Sequence, residues 1–124
     1  MDDNMKDEIT YLSLYLSENR IKRGSSLNVM FTVKNNAQEK VCANLSIYIQ
    51  PGESTRGWRI GAQRSCELEA KKIHHIYMNI PAAAFEQDDD DKEDNCREFV
   101  VCAGCPEQEK REFRKTRDIV FVIG

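Results

Sequence analysis

The sequence predicts an all-β fold, an antiparallel β-sandwich of about seven short strands. Apolar residues recur at every second position in several stretches, which is the period of a half-buried strand. Glycine, proline and asparagine separate those stretches, as expected of turns, and no stretch shows a convincing amphipathic helix pattern. A chain of 124 residues is the commonest size for one domain. We therefore expect one sandwich domain over residues 1–124.

The first three strands show the alternation most clearly. Strand A is ITYLSLYLSE, strand B lies within GSSLNVMFTVKNN, and strand C is VCANLSIYIQPG, which ends at Pro51 and Gly52. We expect ENRIKRG, between A and B, to be a polar turn closed by Gly24. The predicted inward sets are Leu12, Leu14 and Leu16 in A, Leu27, Val29, Phe31 and Val33 in B, and Val41, Ala43, Leu45, Ile47 and Ile49 in C.

The second half of the chain gives four further segments. GWRIGAQRSCELEA predicts two short strands, around Trp58 to Ile60 and around Ser65 to Leu68. KKIHHIYMNIP predicts strand E, with His74, Ile76, Met78 and Ile80 on one face. An acidic E-F loop follows at about 81–96, with one helical turn at Pro81 to Phe85, and REFVVCAG and RDIVFVIG predict strands F and G.

Strands F and G are apolar on both faces, unlike strands with one wet face. We expect an inward core of Leu14, Val29, Phe31, Leu45, Ile47, Ile76, Met78, Phe99 and Phe121, joined by Val101, Ile119 and Ile123. The outward set would then be Tyr48, Val100, Cys102, Val120 and Val122. An exposed apolar patch of this kind usually marks a contact surface. The alternative is that a long loop folds back over the C-F-G face.

The phrase G-x-x-L-x-V-x-F-x-V-K-N-N, from Gly24 to Asn36, resembles immunoglobulin-like domains of the CARDB-like, bacterial-adhesion-associated kind. It is more loosely similar to adaptin-ear and transglutaminase C-terminal sandwiches. The resemblance implies an immunoglobulin-like sandwich, and for CARDB-like domains a structural or adhesive role in a surface protein. The acidic, asparagine-rich ending of CARDB-like repeats is missing after Phe99, and the Cys-Trp-Cys signature of antibody domains is absent.

Charge and composition limit the kinds of partner and the location that we expect for this protein. The net charge of −3 argues against a general nucleic-acid binder, because neutralising phosphates requires a basic face. No stretch approaches the roughly 20 apolar residues of a membrane span, and the N-terminus has no secretory signal. Five cysteines, an odd number, favour reduced thiols and a cytoplasmic location. An extracellular location is the alternative, if the chain is a fragment of a larger surface protein.

Two patterns could bind metal ions. Cys102-x-x-Cys105 has the spacing of a zinc half-site, and Cys96, His74 or His75 could add ligands, although adjacent strand histidines face opposite ways. A redox role would require this motif at a helix start. Asp88, Asp89, Asp90 and Asp91 could bind calcium, but no glycine-bearing calcium loop is present. We interpret the cysteines as packing residues and the aspartates as a solvated loop.

A basic run, KREFRKTR at 110–117, has five basic residues and one acidic residue. Its cations are Lys110, Arg111, Arg114, Lys115 and Arg117. In a sandwich of this topology the E-F and F-G loops lie at opposite ends, so weak, salt-sensitive, head-to-tail association is expected. A charged loop that keeps a sheet edge soluble is the simpler interpretation.

No nucleophile motif, phosphate-binding loop or dinucleotide fingerprint is present, so we predict no enzymatic activity and no cofactor. The sequence instead predicts a non-enzymatic interaction module that binds a protein partner or itself through the C-F-G face. One alternative is a structural or adhesive spacer domain of a larger surface protein. A second is a zinc-binding or redox domain that uses Cys102 and Cys105.

Overall fold

The computed structural model describes residues 9–52, 58–86, 96–104 and 116–124. These residues form eight strands and one short 3-10 helix, which confirms the predicted all-β class. The elements are β1 (Ile9–Leu16), β2 (Arg20–Lys22), β3 (Leu27–Asn35), β4 (Val41–Pro51), β5 (Arg59–Leu68), β6 (Ile73–Ile80), η1 (Ala82–Phe85), β7 (Cys96–Ala103) and β8 (Arg117–Ile123).

The strands form two sheets, one with the order β1-β3-β6 and one with the order β2-β8-β7-β4-β5. Every pair is antiparallel except β2 with β8, which is parallel. This is the two-layer sandwich that the alternating pattern predicts. Strands A, B, C, E, F and G correspond to β1, β3, β4, β6, β7 and β8.

The sequence predicts a polar turn between β1 and β3, but this segment also forms a short strand, β2. The backbone N–H of Ser17 donates to Asn28 O in one sheet (3.0 Å), and the N–H of Phe121 donates to Asn19 O in the other (2.8 Å). The chain therefore crosses from one sheet to the other here and adds β2 to the second. Only Ile21 of β2 is buried, and one apolar residue is too few to show a period of two.

The two short strands predicted on either side of Gly61 are one strand of ten residues, β5. Its register with β4 shifts between Ile47, which opposes Ala62, and Tyr48, which opposes Ile60. Gly61 is the extra residue of a β-bulge, and a Cβ there would lie 3.2 Å from Ile49 Cγ2. The bulge at Gly61 therefore lies within one continuous strand.

The core lies between the sheets and draws on both. Of the twelve residues predicted to form the inward core, eight are buried: Val29, Phe31, Leu45, Ile47, Ile76, Met78, Phe99 and Val101. Leu14 is half-buried and packs against this cluster. The predicted helical turn is η1. Its Phe85 packs edge-on against Phe99, with ring centroids 5.3 Å apart.

The inward face of β8 is the opposite of the one we predicted. Val120 opposes Phe99 and is completely buried, and Val122 is also in the core. Phe121 and Ile123 are half-buried on the outer side, where Ile119 is 38% exposed. A shift of one residue reverses every side chain of a strand. Because both sets in β8 are apolar, alternation could not distinguish them.

Asn35, at the end of the strand B phrase, is a buried polar side chain. Its Nδ2 donates to Leu68 O (2.9 Å) and Glu39 O (3.1 Å), and its Oδ1 accepts from the backbone N–H of Ala37 (2.8 Å). These bonds join the end of β3 to the turn that follows and to the end of β5. Burial is therefore compatible with its polarity, and the asparagine connects the two sheets as well as forming a turn.

Gly104 should be intolerant of a side chain. Its φ is +93°, and a Cβ would lie 3.0 Å from Cδ1 of Tyr11, whose ring stacks on Phe31. We expect Gly104→Ala to lower the free energy of unfolding by about 2 to 4 kcal/mol, through backbone strain plus overpacking. Urea denaturation measures the loss. The control is Gly24→Ala, which has φ +90° but nothing within 4 Å of the new Cβ; equal losses would contradict the Tyr11 contact.

Candidate interaction face

The candidate site is the outer surface of the five-stranded sheet, on β4, β7 and β8, which we call the C-F-G face. Residues opposite each other in a sheet register point to the same side, so the register orders this face into rows. The first row runs through Ile60, Tyr48, Cys102 and Arg117. The second contains Gln50, Val100 and Ile119, the third Glu98, Phe121 and Arg20, and the fourth Ile123 and Lys22.

The structure places three of the five predicted interaction residues on this face. Tyr48 and Val100 lie there and are half-buried, and Cys102 lies in the first row but is completely buried. The prediction was wrong for Val120 and Val122, which point into the core. Their places on the outer side are taken by Ile119, Phe121 and Ile123.

Trp58 and Arg117 cover the first part of the C-F-G face. The Arg117 guanidinium lies 5.2 Å from the centroid of the Trp58 ring. Trp58 directly precedes β5, and Arg117 is the first residue of β8. Because β7 and β4 lie between β8 and β5, these two strands are three strand spacings, or about 14 Å, apart. The two long side chains therefore reach towards each other above β4 and β7, in the row that also contains the buried Cys102. Sequence reasoning missed this cation–π contact because its partners are 59 residues apart.

The remaining part of the face is an apolar strip along β8. Ile119, Phe121 and Ile123 follow one another on the outer side of the strand. Beside them in register lie two exposed cations of β2, Arg20 next to Phe121 and Lys22 next to Ile123. The strip is thus apolar along its centre and basic along its outer edge, with the exposed Glu98 of β7 beside Phe121 on its inner edge.

The predicted metal ligands do not come together in the part of the chain that the structure describes. His74 Nε2 accepts from the backbone N–H of Glu69 (2.9 Å), whereas His75 Nδ1 lies 3.2 Å from Thr32 Oγ1 on the opposite face. No group of three His, Cys, Asp or Glu residues there could hold a metal ion. Cys105 and the side chain of Cys96 lie outside the described residues.

Three cysteines can be described, and none forms a disulfide: Cys42, Cys66 and Cys102. Cys42 is exposed on the outer side of β4, and Cys66 is half-buried opposite Ala43. The acidic run Asp88 to Asp91 and the cations Lys110, Arg111, Arg114 and Lys115 lie outside the described residues, so their expected placement at opposite poles stays a prediction. Within the described ranges, no helix has the length and hydropathy to cross a membrane.

Comparison with known proteins identifies the fold and no family. No protein-family model matches the chain, and no curated protein matches it. Among solved structures, a β-glucosidase from Erythrobacter marinus superposes with a TM-score of 0.69 at 15% identity, over 93% of this chain and 15% of that one. A β-glucosidase from Listeria innocua gives 0.63 at 18% identity, over 94% and 16%.

A protein of different activity carries the same fold. The alkylpurine DNA glycosylase AlkC of Pseudomonas fluorescens superposes with a TM-score of 0.61 at 14% identity, over 94% of this chain and 31% of that one. Our chain therefore spans less than a third of the length of each of these proteins. The likeness shows a shared sandwich fold, which unrelated functions commonly reuse.

Proposed function

We propose that this chain is a non-enzymatic protein-interaction domain that binds its partner through the C-F-G face. The observation that carries the proposal is the apolar strip of Ile119, Phe121 and Ile123 on the outer side of β8. The Ile119 side chain is 38% exposed. This is unusual, because the outer positions of a solvated antiparallel sheet are ordinarily polar. A contiguous apolar strip on a sheet is typical of a contact surface.

The chemistry of the strip indicates the kind of partner. Arg20 and Lys22 line its outer edge, and both are exposed. Complementary charge steers association and fixes orientation more than it adds affinity. We therefore expect a protein surface with apolar side chains flanked by carboxylates, and a binding rate that falls as salt increases.

The test compares two lysine substitutions on opposite faces. Ile119→Lys places a charge in the strip, and we expect it to weaken binding of the purified partner, once captured from the native source, at least tenfold by calorimetry. Ile73→Lys is the matched control, because Ile73 is 54% exposed on the other sheet. Equal affinity of wild type and Ile119→Lys would overturn the C-F-G face as the site, and sedimentation of the protein alone would detect self-association.

A second function, a spacer domain within a longer protein, is supported by the comparisons. The matched glucosidases and the DNA glycosylase carry this fold as 15%, 16% and 31% of their chains. The CARDB-like resemblance of Gly24 to Asn36 implies the same role at a cell surface. The odd number of five cysteines instead supports a reducing, cytoplasmic compartment. Intact mass before and after reduction distinguishes the two, because linked cysteines favour the surface.

A further inference from the structure

The outer face of the three-stranded sheet, on the side opposite the C-F-G face, carries a row of large side chains. Tyr15 of β1 opposes Met30 of β3, which opposes Tyr77 of β6. We call these three residues the tyrosine row. Tyr15 is 62% exposed and Tyr77 is 66% exposed. Two strand spacings separate the tyrosines, so their backbones are about 10 Å apart. Two solvent-exposed aromatic rings thus flank a methionine on one flat surface.

Polar but uncharged side chains lie on both sides of the tyrosine row. On one side Asn28 opposes Asn79, whose Nδ2 donates to Asn28 Oδ1 (2.9 Å) and Ser26 Oγ (3.0 Å). These bonds hold the two amides in place on an exposed surface.

On the other side Ser13 opposes Thr32, which opposes His75, with Thr32 Oγ1 and His75 Nδ1 3.2 Å apart. Among the described residues, the nearest fixed charges are Lys34, one row beyond Thr32, and Arg64 of β5, whose Nη1 donates to the backbone O of Tyr77 at the edge of β6 (2.7 Å). In a chain with 31% charged residues, these three successive rows of the described strands carry no acidic, lysine or arginine side chain. The side chains of these rows therefore favour an uncharged ligand over an anionic one such as a phosphate.

The size and shape of the face limit its ligand further. Three strands of about eight residues cover roughly 14 by 27 Å, or about 400 Å². A standard protein interface buries about 800 Å² on each partner, about twice this area, so a protein partner would have to extend beyond these three strands. It is also the open outer face of a sheet, whereas compact small molecules bind in concave pockets. An extended, neutral chain molecule fits both limits.

We propose that this face binds a neutral polysaccharide. The rings of Tyr15 and Tyr77 stack on the apolar C–H faces of two sugar units, with Met30 filling the space between them. The asparagine row and the Thr32–His75 row exchange hydrogen bonds with sugar hydroxyls on either side. Side chains held by existing hydrogen bonds lose little freedom on binding. The proposal is independent of the C-F-G face, because it uses the other sheet.

Affinity electrophoresis tests the proposal with named polymers: hydroxyethylcellulose as a β-1,4-glucan, laminarin as a β-1,3-glucan, and alginate as an anionic control. We expect at least one neutral glucan to retard the wild-type protein, and alginate not to. Tyr15→Ala and Tyr77→Ala should each weaken retardation about tenfold, the effect expected of one stacked ring. Ile119→Ala, on the opposite sheet, should leave it unchanged. Circular dichroism and the melting temperature check that the tyrosine variants stay folded.

Three results would overturn the polysaccharide site. The first is a wild-type protein that neither neutral glucan retards. The second is retardation that the two tyrosine variants leave unchanged, or that alginate reproduces. The third is a wild-type protein that sedimentation finds to be dimeric and that Tyr15→Ala and Tyr77→Ala convert to monomer, because the row would then be a contact between copies of the chain.

Discussion

Val120→Lys is expected to unfold the domain or to remove at least about 4 kcal/mol of its stability. Val120 is completely buried opposite Phe99 in the sheet register. An ammonium placed there would be buried without a carboxylate opposite it, at a cost of several kcal/mol. Small domains have a total stability of only about 5 to 15 kcal/mol. Urea denaturation followed by circular dichroism measures the loss.

The neighbouring position provides the control for this prediction. Ile119 is 38% exposed on the outer side of β8, so Ile119→Lys can extend its ammonium into water and should cost less than about 1 kcal/mol. The two variants make the same kind of change one residue apart. If Val120→Lys were tolerated and Ile119→Lys unfolded the protein, the face assignment of β8 would be reversed.

Strand identity could be predicted from the sequence where one face is apolar and the other polar. In strand B, Leu27, Val29 and Val33 alternate with Asn28 and other less apolar residues, and the structure buries that predicted set. The period of two therefore gave both the strand and its inward face. The same period predicted the inward faces of strands C and E, whereas in strand A the register shift between Tyr11 and Ser13 places Tyr11, rather than the predicted Leu12, against the core.

The face of β8 could not be predicted in this way, because its two sets are almost equally apolar. What decides between them is pairing: Phe99 of β7 opposes Val120, so both point inward. Pairing partners come from a different part of the chain, and alternation within one strand contains no information about them. For the same reason β2 could not be predicted, since its three residues are held in the sheet by parallel pairing with β8.

The same limit applies to the candidate sites, because features that depend on strand pairing could not be predicted from the sequence. The apolar character of strands F and G could be read from the sequence, but it did not show which side chains of β8 lie outside, since Ile119, Phe121 and Ile123 take the places predicted for Val120 and Val122. The Trp58–Arg117 contact and the tyrosine row could not be read from the sequence, since each joins residues from separate strands. Tyr15 and Tyr77 are 62 positions apart in the chain, and only the register of β1 and β6 on β3 brings them into one row.

Phe31→Ala is expected to cost about 3 to 5 kcal/mol, the usual loss for a fully buried phenylalanine. Phe31 has no exposed surface, lies on the central strand of its sheet, and stacks on Tyr11 with ring centroids 5.8 Å apart. Removing the ring leaves a cavity between the sheets and frees the Tyr11 ring on one side. Urea denaturation of both proteins, fitted with one shared m-value, measures the change in the free energy of unfolding.

Phe121→Ala is the matched control, because it removes the same ring from the half-buried outer side of β8. We expect it to cost less than about 2 kcal/mol, since part of that ring is already in contact with water and no enclosed cavity forms. The difference between the two variants measures what enclosure between the sheets adds to burial. A loss below about 1 kcal/mol for Phe31→Ala, or a larger loss for Phe121→Ala, would contradict the core of this sandwich as described, because the fully enclosed ring must be the more costly one to remove.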